Sequence, residues 1–138
     1  MVARRVEGVQ LERMADEILA LKEGSLEAHA INQSAATVYD LCDGNTSKSE
    51  MAAEIHRRTG LPADEEIVDL ALSELVETGL VMLDDPESRS DVSRRALIRR
   101  LALSSTLALM LPVVETVVVP AEAQVNAPKS PSPTPTLL

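Results

Sequence analysis

The 138-residue chain has no Phe, no Trp and one Tyr, so its core must be assembled from Leu, Ile, Val, Met and Ala. It has a single cysteine, Cys42, which excludes an internal disulfide framework and any Cys-rich zinc or iron–sulfur site. A reducing compartment is the default. Its two histidines, His29 and His56, have no carboxylate at a ligand spacing, and no metal is expected. There is no Ser-His-Asp order, no Gly-rich phosphate loop and no paired-carboxylate site. Catalytic residues and cofactors are therefore not expected, and the absences favour a non-catalytic binding module.

What is present is unevenly distributed. Residues 1–85 hold 7 basic and 18 acidic residues, a net charge of -11, whereas residues 86–138 hold 6 basic and 4 acidic, a net charge of +2. An acidic folded part repels phosphate, which argues against nucleic acid as its partner, and a basic or mixed peptide suits it better. About 80 residues suffice for one small domain without staples. The organisation read from composition is a domain over 1–85, a basic then hydrophobic and helical tail over 86–125, and a disordered Pro/Ser-rich spacer over 126–138.

Within the domain, Val9 to Met14, Glu17 to Leu21 and Leu26 to Ile31 read as three short antiparallel strands. From Ala35 the apolar positions Val38, Tyr39 and Cys42 share a helical face, with Asn32 or Ser34 as the N-cap and Asp43-Gly44-Asn45 as the stop. Cys42 on that face is a small buried filler rather than a nucleophile. Ser47 and Glu50 form a capping-box pattern ahead of a second helix with Met51, Ala52 and Ile55 inward, ended by Thr59-Gly60. Pro62 suits the first turn of a third helix, Ala63 to about Thr78, with Ile67, Leu70, Ala71 and Leu75 as its buried stripe and Gly79 closing it. Leu80 to Leu83 is a short strand or a packed extension. The expected fold is α+β: three short antiparallel strands followed by three helices in a winged helix-turn-helix-like arrangement, with an extended C-terminal tail.

The run Ile31-Asn32, Ser34-Ala35-Ala36, Tyr39, Leu41-Cys42-Asp43-Gly44, followed by Glu50-Met51-Ala52-Ala53-Glu54-Ile55, resembles the PqqD-like family. That family's pattern is a strand ending in Leu-Asn, a Thr-Ala helix with an aromatic, Cys-Asp-Gly, and a helix rich in Glu-Ile-Ala. The likeness runs in order from about Val6 to Leu83. This chain departs in having Tyr39 where tryptophan is frequent, and Ala28, His29 and Ala30 where bulky residues precede the Leu-Asn.

The resemblance implies a recognition element for the leader of a ribosomally synthesised precursor peptide. Such an element holds the leader beside its third strand and third helix and presents it to a modifying enzyme, a radical S-adenosylmethionine enzyme in the namesake coenzyme PQQ pathway. Carried onto this chain, the strand edge is Leu26, Ala28, His29, Ala30 and Ile31, and the groove wall is Glu66, Asp69, Ser73 and Glu77. An open sheet edge can bind a peptide through its unpaired backbone groups. The ordinary reading of those four helix residues is a solvated face.

The tail is a different material. Four arginines (Arg94, Arg95, Arg99, Arg100) lead into an uncharged apolar run from Leu101 to Val114, then Glu115 and a further run to Val119. Ala121-Glu122-Ala123 completes a likeness to an export signal, but a whole acidic domain precedes it. Membrane association of Leu101 to Val119, with the domain cytoplasmic, stands against a helix docking on its own domain or a partner. A tail folding back on the open edge as a leader-like or substrate segment is a further reading. Besides the peptide chaperone, two other functions are open: a membrane-associated adaptor and a winged-helix transcriptional regulator. The third helix contains no Lys or Arg, which opposes the regulator.

Overall fold

The computed structural model describes residues 2–85 and 91–118. The spacer expected over 126–138 lies outside the described residues. Two antiparallel sheets and five helices make up the described part. Strands β2 (Val9–Met14), β3 (Glu17–Lys22) and β4 (Glu27–Ile31) form a meander. Helices α1 (Gln33–Asp40), α2 (Lys48–Thr59) and α3 (Glu65–Glu77) follow, as the sequence pattern predicts.

A second, two-stranded sheet pairs β1 (Ala3–Arg5) with β5 (Val81–Leu83), Arg4 lying opposite Met82. The Leu80 to Leu83 run is thus a strand, and β1, too short for a periodic signal, is an addition to the expected elements. Beyond residue 91 lie α4 (Arg94–Arg100), α5 (Ser105–Ala108) and β6 (Val114–Val118).

Local chemistry sets the helix ends. Asn32 caps α1 by accepting from the amide of Ala35. Ser47 and Glu50 form the reciprocal capping box on α2, and Gly60 ends that helix at φ 82°, a left-handed conformation that a side chain would strain. One expectation is corrected here. Helix α3 begins at Glu65, capped by Asp64, so Pro62 lies before its first turn. The short Asp64 side chain accepts from the Glu66 amide ahead of it, which fixes the start two residues later than proline preference suggests.

The core lies between the inner face of the larger sheet and the three-helix layer. Ile18, Ala20, His29 and Ile31 face inward from β3 and β4, and Val38, Tyr39, Met51, Ile55, Ile67, Ala71 and Leu75 oppose them. Fully burying one such Leu or Ile contributes about 1.5–3 kcal/mol, so aliphatic side chains can replace the missing aromatics if they are numerous. Leu97 and Leu111 of the tail are 1% and 0% exposed and belong to the same cluster, so the tail completes this core.

The tail is helical only in part, where a helical segment is expected over 86–125. Its apolar run breaks into α5, a turn and β6, and no helix among the described residues is long and apolar enough to cross a membrane. The reading of Leu101 to Val119 as a membrane attachment is therefore not supported. Its apolar residues are instead used in part within the domain: Leu111 and Val114 are buried, whereas Val117 and Val118 are exposed.

Candidate functional site

The edge of β4 is covered. β6 lies antiparallel on it from Glu27 opposite Val118 to Ile31 opposite Val114, giving a four-stranded sheet in the order β2-β3-β4-β6. The Asn32 amide donates to the Val113 carbonyl at 3.2 Å. Hydrogen-bonded pairs alternate along an antiparallel ladder, so the next ones are Ala30 with Glu115 and Ala28 with Val117. The backbone groups of Ala28 and Ala30 thus point towards β6, and those of His29 and Ile31 towards β3. The Val114 amide points the other way, and donates to Glu74 Oε1 of α3 at 3.0 Å.

Asn32 is the hinge of this arrangement. Its Oδ1 accepts from the amides of Ala35 and Val113 at 3.2 and 3.1 Å, while its Nδ2 donates to the Leu111 carbonyl at 2.9 Å. One side chain therefore starts α1 and fixes the entry to β6. The Ser34 hydroxyl donates to the Met110 carbonyl. Nearly all of these contacts reach the backbone of the tail, so they read its path more than its side chains.

Of the edge residues named from sequence, Ala28, His29, Ala30 and Ile31 lie in β4, whereas Leu26 precedes the strand and is exposed. His29 is 1% exposed, its Nδ1 sharing a hydrogen bond of 2.9 Å with Thr116 Oγ1 and its Nε2 buried without a partner. The His29–Thr116 pair is a non-hydrogen-bonded one, in which side chains approach most closely, as this contact requires. Burial holds the His29 pKa below its usual value, so the ring is neutral near pH 7.

The wall residues divide. Glu66 accepts from Arg100 of α4, which also bonds Asp64 at 3.1 Å. Asp69 pairs instead with Lys48 of α2 at 2.7 Å, within the helix layer. Ser73 and Glu77 lie on α3, Glu77 at its last position. Glu74, Asn32 and Ser34, which do hold the tail, were not assigned to the site from sequence. Asn32 was legible as a cap, but nothing local distinguished Glu74 from its acidic neighbours. Cys42 is 1% exposed and its thiol is pushed up to about 12 by burial, which leaves it protonated and inert. Among the described residues no group of His, Cys, Asp and Glu could hold a metal ion.

These features define a class: a small α+β domain whose sheet edge and third helix together hold an extended segment by strand addition. Residues 17–81 match the family model of coenzyme PQQ synthesis protein D (PqqD), a match that supports a PqqD-like assignment for this domain. The matched stretch contains β3, β4 and all three core helices. No curated protein and no solved structure matches the chain. That assignment supports a role in PQQ or modified-peptide biosynthesis, a setting in which PqqD-family proteins are accessory binding proteins rather than catalysts. It also implies interaction with a precursor peptide and a biosynthetic enzyme.

Proposed function

We propose that the chain is a non-catalytic recognition module that holds a leader-type peptide strand on the edge of β4, beside α3, and delivers the attached segment to a modifying enzyme, a radical S-adenosylmethionine enzyme being the candidate by family likeness. The single observation that carries this reading is β6, an extended segment from a distant part of the chain, added to that edge and gripped at its amide by Glu74. An edge that accepts a strand through the backbone groups of Ala28 and Ala30 offers general affinity, and the flanking side chains set the register. Among the described residues no metal-ligand group forms around Cys42, His29 or His56 to compete with it. The winged-helix regulator has no such support, since the exposed face of α3 is acidic and repels DNA phosphates.

The test uses the full chain carrying Glu115→Pro, which removes the β6 amide facing Ala30 and weakens the added strand. A fluorescein-labelled synthetic peptide of residues 91–118 is titrated into it and followed by anisotropy. Saturable binding is expected, at least tenfold tighter than to the unsubstituted chain, and lost when Ala30→Pro is added. Ala30 directs its backbone groups away from β3, so that second proline leaves the β3–β4 ladder intact. A folded Glu115→Pro chain that does not bind the peptide refutes the reading.

A further inference from the structure

We infer that residues 91–118 are a leader built into the chain, so that the molecule is recognition element and peptide substrate in one, displaying residues 119–138 to the modifying enzyme. The inference rests on the recognition reading above and names its occupant.

Three observations carry it. The first is completeness. The tail satisfies the strand edge along its whole length, from Ile31 opposite Val114 to Glu27 opposite Val118, and Asn32, Ser34 and Glu74 bond its backbone at Val113, Leu111, Met110 and Val114. A leader arriving from another molecule would have to displace all of this and expose Leu97 and Leu111 to water. The site is thus filled by a segment that the fold itself requires.

The second is charge. The tail is basic where the domain is acidic, and Arg100 meets Asp64 and Glu66 at the start of α3. Arg94 donates to the Pro112 carbonyl, which braces the turn ahead of β6. The basic flank that resembles an export signal in the sequence is here used to seat the tail on its own domain.

The third is polarity of the chain. β6 runs antiparallel to β4, so its entry lies at Asn32 and α1, and its exit lies at Glu27, the opposite end of the strand. Val117 and Val118 are 60% and 65% exposed at that exit. Val118, the last described residue, therefore stands at the far end of the sheet from the α1 junction. A leader must likewise end at a fixed place for the segment it carries. Residues 119–138 contain no Cys and no aromatic residue, so the enzyme must act on the hydroxyl, carboxyl, amide, amine or aliphatic groups present. Ser130, Ser132, Thr134 and Thr136, spaced by prolines, are the densest set of such groups.

The experiment is the intact mass of the full chain isolated from the cells that make it, with peptide sequencing by tandem mass spectrometry to place any added or lost mass. The expected result is a modification confined to residues 119–138, with the modified fraction falling at least tenfold in the chain carrying both Glu115→Pro and Asn32→Ser while it stays folded by circular dichroism. An unmodified 119–138 segment in the unsubstituted chain overturns the inference, and so does equal modification in the two chains. If the segment is unmodified but the Glu115→Pro chain binds the 91–118 peptide, the recognition reading stands and only the built-in leader falls. If that chain does not bind the peptide, both fall.

Discussion

Replacing Asn32 by Ser separates its two jobs. A serine hydroxyl still caps α1 by accepting from the Ala35 amide, but it is too short to receive the Val113 amide and donate to the Leu111 carbonyl as Asn32 does. The loss is two part-buried hydrogen bonds to the tail, each about 1 kcal/mol, or about 2 kcal/mol in total. That corresponds to roughly a 30-fold shift towards the undocked tail, since about 1.4 kcal/mol is a factor of ten. Asn32→Ala removes the cap as well, costing about 1 kcal/mol more.

Amide hydrogen exchange read by mass spectrometry on segments 27–31 and 114–118, with urea unfolding for the global value, checks this. The Ser chain should show roughly 30-fold faster exchange in β6 and at the Ala28 and Ala30 amides, consistent with the 2 kcal/mol loss, and little change in α2. The Ala chain should also fray at α1. Uniform acceleration over the whole domain, or none in β6, would refute the argument that Asn32 holds the tail independently of the helix.

Three further outcomes follow from the same geometry. The folded-state pKa of His29 lies below its unfolded value, so its contribution to stability is complete above the unfolded pKa, about 6.5, and is lost as pH falls below it. Protection of the tail amides, that is, exchange corrected for its intrinsic pH dependence, should therefore fall on acidification from pH 7 to 5, and His29→Gln should remove most of that dependence; unchanged protection would contradict it. Leu111→Ala, which empties a fully buried position in the tail, should cost about 2–5 kcal/mol in urea unfolding. A cost below 1 kcal/mol would mean that the tail does not complete the core. Cys42, with its thiol pushed up to about 12, should resist a thiol reagent at pH 8 in the native chain and react only as fast as the chain unfolds, whereas immediate labelling would show the side chain to be accessible.

The sequence by itself determined the elements whose causes are local. Asn32, Ser47-Glu50 and Gly60 mark helix ends because capping geometry depends on a few adjacent residues, and Ile67, Leu70, Ala71 and Leu75 mark a buried face because helix period is a property of spacing. The Leu-Cys-Asp-Gly run carried the family likeness for the same reason. The tail was different. A run such as 101–119 satisfies the apolar demand of a membrane helix, a docked helix or a strand equally, and only the unpaired edge of β4 decides among them, because Ala28 and Ala30 need partners that the meander does not supply. The same holds for the acidic face of α3. Glu66, Asp69 and Glu74 look alike in sequence, yet tertiary placement sends one to Arg100, one to Lys48 and one to the amide of Val114. A carboxylate's role depends on which donor the fold brings within hydrogen-bond reach, and that distance is set by packing across the chain, not by its neighbours along it.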